Sequence, residues 1–257
     1  MNIVIITGAS SGIGKEFALK MDPYFESIDE FWLVARDRAK LKELAKALRH
    51  KTRIFAIDIT SAPNLDVLED TVIARNATVR MLVNCAGYGL MGAFCEQEAE
   101  GELGMIRLNC FALTDLTHRM IPFMRRNSRI IQLASSAAFL PQPDFAVYAA
   151  TKAYVQSFSR ALGRELRPLG IWVTAVCPGP VDTPFFDIAE QGGTTLSIKK
   201  YVMESPERVV EQALRDSYFK RELSVCGLPI KGLHVLSKTL PHRLILDVMG
   251  LMKKRGK

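Results

Sequence analysis

The chain has 257 residues, 48% hydrophobic and 24% charged, with a mean hydropathy of +0.09. That is the balance of a globular protein long enough to bury a core without staples. Five scattered cysteines (85, 95, 110, 177 and 226) form no CxxC pair and the four histidines lie apart from them, which argues against a disulfide framework and any metal site and fits reduced thiols in a cytoplasm. Of the net charge of +7, +6 sits in residues 231–257, where seven Lys/Arg face one acid, Asp247; a body left at +1 argues against a nucleic-acid partner.

The first stretch, MNIVIITG, is apolar but lacks a charged leader and meets Gly8 early, so it reads as a first strand over 3–7 and not as a signal peptide. No apolar run approaches the length of a membrane span. TGASSGIG follows, with Gly8, Gly12 and Gly14 spaced G-x-x-x-G-x-G and a helix from about Ile13. Glycines at a strand-to-helix turn let a phosphate approach the backbone, and the helix N-terminus supplies free N–H groups. Further strands are expected at 31–35, 53–58, 80–84, 129–134 and 171–176, with a weaker edge strand at 223–226. Most are continuously apolar, as strands covered on both faces are.

Helical periods fall between them. Leu41, Leu44, Ala45 and Leu48 follow a 3-4 spacing, PNLDVLEDTVIA opens with a proline, and longer amphipathic stretches run over about 104–126 and 146–167. This alternation predicts an α/β fold, a doubly wound sheet of about seven parallel strands with helices on both faces, as one domain over 1–257. Ligands in such sheets sit at the carboxyl ends of the strands, so the loops after strands one, four, five and six are where chemistry is expected.

One such loop leads into VYAATKAYV, which sets Tyr148 one helical turn before Lys152. NCAG (84–87) follows strand four and CPGPVDT (177–183) follows strand six. Together with TGASSGIG and YAATK these motifs resemble, in order and across nearly the whole chain, the short-chain dehydrogenase/reductase family. The departures are Cys85, where asparagine is commoner, and a missing glycine after the SSAA run.

The resemblance implies a Rossmann-type fold and an oxidoreductase that exchanges a hydride between nicotinamide and a carbonyl compound. Tyr148 is then the acid/base, and Lys152 is expected to lower its pKa and hold the ribose. Ser135, thirteen positions before Tyr148, would bind the substrate oxygen; a different placing of the missing glycine would make it Ser136. The other serine would cap or turn the strand end. Asn109, in mid-helix, would hold a water linking the lysine to solvent. Cofactor contacts are implied for Gly8, Ser10, Ser11, Gly12, Ile13, Gly14, Asp58, Ile59, Asn84, Ala86, Gly87, Tyr148, Lys152, Pro178, Gly179, Val181 and Thr183. Arg36, directly after strand two, suits a 2′-phosphate and favours NADP(H) over NAD(H), although Asp37 is adjacent and Ser11 stands where a second basic residue is usual.

A lid is expected over about 183–205, with Gly192 and Gly193 as hinge and Phe185, Phe186, Ile188, Leu196, Ile198 and Met203 as its apolar side. Tyr88, Leu90, Met91, Phe94, Leu140 and Phe145 would complete a pocket for a small hydrophobic ketone or secondary alcohol, steroid-like or acyl-derived. The tail has apolar residues at 240, 244, 248 and 252, beside Ile245 and Met249. It would pack on the body, rest on anionic lipid as a membrane-peripheral contact, or meet another subunit. A homodimer or homotetramer through the helices of Asn109 and Tyr148 is implied by the resemblance. Tyr154 lacks a functional register and is expected to be packing. The rival function is a non-catalytic NADP(H)-sensing regulatory or scaffold protein; retention of Ser135, Tyr148 and Lys152 argues against it.

Overall fold

A computed structural model of the chain describes residues 1–190 and 203–247. Seven parallel strands form one sheet in the order β3-β2-β1-β4-β5-β6-β7. They are β1 (Asn2–Thr7), β2 (Glu30–Ala35), β3 (Lys51–Ala56), β4 (Thr78–Asn84), β5 (Arg129–Leu133), β6 (Trp172–Val176) and β7 (Leu223–Ser224). The helices are α1 (Gly12–Met21), α2 (Arg38–Ala47), α3 (Ala62–Ala74), α4 (Ala99–Ile106), α5 (Leu113–Met120), α6 (Ala146–Leu166), α7 (Phe185–Ala189), α8 (Pro206–Tyr218) and α9 (Leu228–Thr239). Arg107–Ala112 joins α4 to α5 as a π-helical segment, and Ser136–Phe139 is a 3-10 turn after β5.

The period-2 pleat divides the core between two faces. Ile3 and Ile5 point to the side covered by α3, α5 and α6, where Leu65, Leu68, Leu116 and Leu162 meet them. Val4 and Ile6 point to the side of α1, α2 and α8, against Phe17, Leu41 and Val210. Double coverage is why the strands read as continuous apolar runs. Because β2 and β4 flank β1, the strand order reverses at β1, which opens a crevice at the carboxyl ends of β1 and β4.

In the C-terminal segment α9 packs through the buried Ile230 and ends at Thr239, Leu240 is extended, and helix resumes at His242. Leu240 and Leu244 are exposed, and residues 248–257 lie outside the described residues. Tyr154 packs at the surface: it is 43% exposed, its ring stacks on Phe158 at 5.9 Å, and its hydroxyl shares a 2.8 Å hydrogen bond with Thr114 Oγ1 on α5. Leu196, Ile198 and the Gly192-Gly193 pair also lie outside the described residues.

Candidate active site

The loop after β1 needs its glycines. Gly8 has φ +65° and Gly12 φ +52°, conformations that favour glycine. A Cβ on Gly8 would lie 2.8 Å from Ala86 N, so the loop closes directly on the segment after β4. Thr7 reinforces that closure: its Oγ1 accepts the N–H groups of Cys85 and Ala86, both at 3.1 Å. Ser11 precedes α1 in extended conformation without bonding the helix through its side chain, so the N–H groups of the first turn face the crevice. On the far side Thr183 packs on Gly12, whose Cβ would be 3.2 Å from the Thr183 Cβ. Glycine backbone, a helix N-terminus and a crevice wall form a cradle that fits a dinucleotide pyrophosphate.

Arg36 leaves β2 exposed at the same end of the sheet. Its neighbour Asp37 is engaged elsewhere, accepting from Lys40 N at 3.0 Å as the cap of α2. Asp58 Oδ1 accepts from Thr60 N at 2.9 Å and Thr60 Oγ1 at 2.8 Å. Burial pushes its pKa up, but the Thr60 bonds and nearby Arg36 outweigh that and hold it below the usual carboxylate range. Ile59 is buried in the core and Val181 in the opposite one, so both offer the crevice backbone only. Pro178 O accepts from Ser136 N at 2.8 Å, and Gly179 leaves no room for a Cβ beneath Ile230 of α9.

Asn84 does not turn its amide toward the crevice. Nδ2 donates to Thr117 Oγ1 at 3.0 Å and to Gln132 Oε1 at 2.9 Å, inside a fully buried cluster. Ala86 and Gly87 are what the NCAG segment presents outward; a Cβ at Gly87 would lie 2.8 Å from Asn109 Oδ1 and 3.5 Å from Lys152 Nζ.

After β5 the chain turns at Ser135, whose Oγ accepts from Ala137 N at 3.1 Å and which lies close enough to the Tyr148 hydroxyl to ease its ionisation. The capping role expected of the other serine therefore falls to Ser135 itself, while Ser136 bonds away from the phenol through its backbone. Tyr148 is buried, stacked on Phe145 at 4.2 Å and tilted against Phe185 at 5.5 Å. Gly89, which sequence reasoning missed, makes that seat possible, since a Cβ there would lie 2.7 Å from both rings.

Lys152 Nζ donates to Leu133 O at 2.7 Å and sits 5.6 Å from the Tyr148 ring centroid. The resting state of the pair is set by burial, which pushes Tyr148 up to about 12, opposed by Ser135, and brings Lys152 down to about 8. At neutral pH the phenol holds its proton and the lysine remains largely charged.

Asn109 stands behind the pair in the π-helical segment, a distortion that recurs at functional sites. It accepts from Tyr88 N at 3.1 Å and donates to Tyr88 O at 2.9 Å and Thr151 Oγ1 at 3.1 Å; Thr151 in turn donates to Tyr148 O at 2.7 Å. Thr7 and Thr151 were missed because their role is to hold backbone, which leaves only a threonine in an ordinary place. Of the apolar mouth, Tyr88, Leu90, Met91, Phe145 and Phe185 gather around Tyr148, whereas Leu140 is buried and Phe94 is 63% exposed.

Known proteins share this architecture. The short chain dehydrogenase family model matches residues 2–192. An uncharacterized oxidoreductase of Staphylococcus epidermidis is 33% identical over 192 residues, 74% of this chain and 82% of that one. A very-long-chain 3-oxoacyl-CoA reductase of Phaeosphaeria nodorum is 31% identical over 208 residues, 77% of this chain and 60% of its own length. A short-chain dehydrogenase from Sphingobium yanoikuyae, solved in complex with NADPH, superposes with a TM-score of 0.78 at 30% identity, covering 98% of this chain and 96% of that one.

Proposed function

The chain belongs to the short-chain dehydrogenase family of oxidoreductases, and from that premise we propose that it reduces hydrophobic ketones with NADPH. The observation that carries the reading is the gathering of Ser135, Lys152 and Asn109 about a buried, proton-bearing Tyr148, beside a phosphate cradle. The loop at Gly8–Gly14 and the N-terminus of α1 would hold the pyrophosphate, Arg36 the 2′-phosphate, and Lys152 the ribose. When bound, the nicotinamide supplies a hydride to the carbonyl carbon.

The chain's own groups handle the oxygen. Ser135 Oγ–H holds the substrate oxygen in line with Tyr148 Oη, and Tyr148 gives it the proton that completes the alcohol. The phenolate left behind regains a proton through Lys152, whose pKa of about 8 suits proton exchange near neutral pH. A phenol pushed up to about 12 by burial keeps its proton until the substrate oxygen develops charge. The buried Phe145 ring and the half-buried Phe185 ring bordering Tyr148 suit an apolar substituent on the carbonyl, and the kinship with a 3-oxoacyl-CoA reductase favours an acyl-derived one.

The exposed Leu103, Ile106, Phe111 and Tyr154 on α4, the π-helical segment and α6 would be covered by a second copy in a homo-oligomer. The test is a titration with NADPH and NADH beside a panel of apolar ketones followed at the NADPH absorbance. Tighter NADPH binding and turnover of long-chain 3-oxo substrates would support the reading, and equal affinities with no turnover would oppose it.

A further inference from the structure

The amino ends of the strands, opposite the candidate active site, gather positive charge that the linear sequence disperses. The connection into β5 holds Arg125, Arg126 and Arg129 with no acid among them. Arg80 of β4 joins this group by donating to Arg126 O at 3.1 Å. The connection into β6 adds Arg164 and Arg167 against Glu165, and it lies alongside: Asn127 N–H donates to Gly170 O at 2.8 Å. The connection into β7 adds Lys220 and Arg221, balanced by Asp216 and Glu222. It is tied in by Arg129, which donates to Ser217 O at 3.2 Å, and by Arg164, paired with Glu222 at 2.5 Å. Eight cations against three acids give this contiguous face a formal charge of +5.

Large apolar side chains stand out from the same surface. Tyr218 is 69% exposed, Phe219 59% and Leu169 59%. They are interleaved with the cations: the Arg129 guanidinium lies 6.0 Å from the Tyr218 ring, and the Lys220 ammonium 4.5 Å from the ring of Trp172. A tyrosine, a phenylalanine and a leucine emerging among arginines match the boundary of an anionic bilayer, where rings sit at headgroup level and guanidinium groups meet phosphate.

We propose that this amino-end face docks the protein on an anionic phospholipid surface. Self-association through the face is disfavoured by its own charge, since two copies would set like charges together. The docking also leaves the carboxyl-end mouth turned away from the bilayer and open to the aqueous phase.

The test is co-sedimentation of the full chain with phosphatidylcholine vesicles, with and without about 30% phosphatidylserine, at low salt and at about 0.5 M NaCl. The wild-type protein should pellet with the anionic vesicles only and be released by salt. Arg126→Glu with Arg167→Glu, and separately Tyr218→Ser with Phe219→Ser, should each weaken binding by roughly tenfold or more. A Lys253→Gln, Lys254→Gln, Arg255→Gln chain should still bind. The arginine pair is exposed, so its variant should keep the wild-type urea midpoint and NADPH affinity, and its result decides the matter even if the aromatic variant misfolds. No pelleting, equal binding by the charge-reversed chain, or loss only in the 253–255 variant would overturn the proposal. So would binding of a single-stranded oligonucleotide through these arginines without any vesicle binding.

Discussion

Replacing Thr117 with valine keeps the shape of a buried side chain and deletes one hydroxyl. That hydroxyl accepts from Asn84 Nδ2 at 3.0 Å and from Gln132 Nε2 at 3.1 Å, while donating to Leu113 O at 2.6 Å. All three side chains are buried, Thr117 and Gln132 completely and Asn84 to 2% exposure. The substitution therefore leaves two N–H donors with no acceptor and no path to water. Each such donor costs about 1–3 kcal/mol, and the added methyl returns less than about 1 kcal/mol. The net loss should be about 2–4 kcal/mol, read from urea denaturation followed by circular dichroism. Thr117→Ser keeps the hydroxyl and removes only a methyl group, so it should cost no more than about 1.5 kcal/mol. If Thr117→Val unfolds within about 0.5 kcal/mol of wild type, the cluster is not what holds the carboxyl ends of β4 and β5 in place.

Gly8→Ala places a Cβ at φ +65° and 2.8 Å from Ala86 N; it should cost about 1–3 kcal/mol and weaken NADPH binding, checked by calorimetric titration. Arg36→Ala should raise the NADPH Kd by roughly ten- to a hundredfold and leave the NADH Kd within about twofold, because only the 2′-phosphate loses its charged partner. Lys152 gives a pH signature. Its folded value of about 8 lies below the unfolded value near ~10.4, so the unfolded chain binds more protons between the two and stability rises with pH across that window, by about 3 kcal/mol in all. Tyr148, raised to about 12, acts in the opposite sense: its contribution is present below pH ~10 and is lost as pH climbs toward 12. The thiols of Cys85, Cys110 and Cys177, pushed up to about 12, 11 and 12 by burial, act with Tyr148, so total stability should fall above pH ~9; the Lys152 share should appear as the difference between wild type and Lys152→Met, which rises by up to about 3 kcal/mol between pH 8 and 10.

The sheet was legible because double coverage writes the middles of β1 and β2 as unbroken apolar runs and keeps β5 and β6 mostly apolar, and the motif loops mark where each strand ends. Boundaries moved by a residue or two, as at β3, whose predicted end at Asp58 is already the turn over Thr60. The sequence also brought Ser135, Tyr148, Lys152 and Asn109 to one place. It could not show that Asn84 turns inward, because the asparagine of an NCAG run looks alike whether its amide serves a ligand or a buried cluster. The burial of Tyr148 was hidden for a related reason. Sequence spacing reveals the nearby ammonium but not the burial that outweighs it, nor the carbonyl of Leu133 that holds the ammonium. Nor could it gather Arg80, Arg126 and Arg167 onto one face, since that requires the register of three separate connections.

The central claim is that Tyr148 delivers the proton in a nicotinamide-dependent ketone reduction. It is tested by Tyr148→Phe, assayed for NADPH oxidation on the best ketone of the panel with the NADPH Kd measured in parallel. Loss of a general acid should lower kcat by about 10²–10⁴-fold, and the Kd should stay within about twofold because the ring still fills the seat between Phe145 and Phe185. A Tyr148→Phe chain that turns over at the wild-type rate would contradict the account.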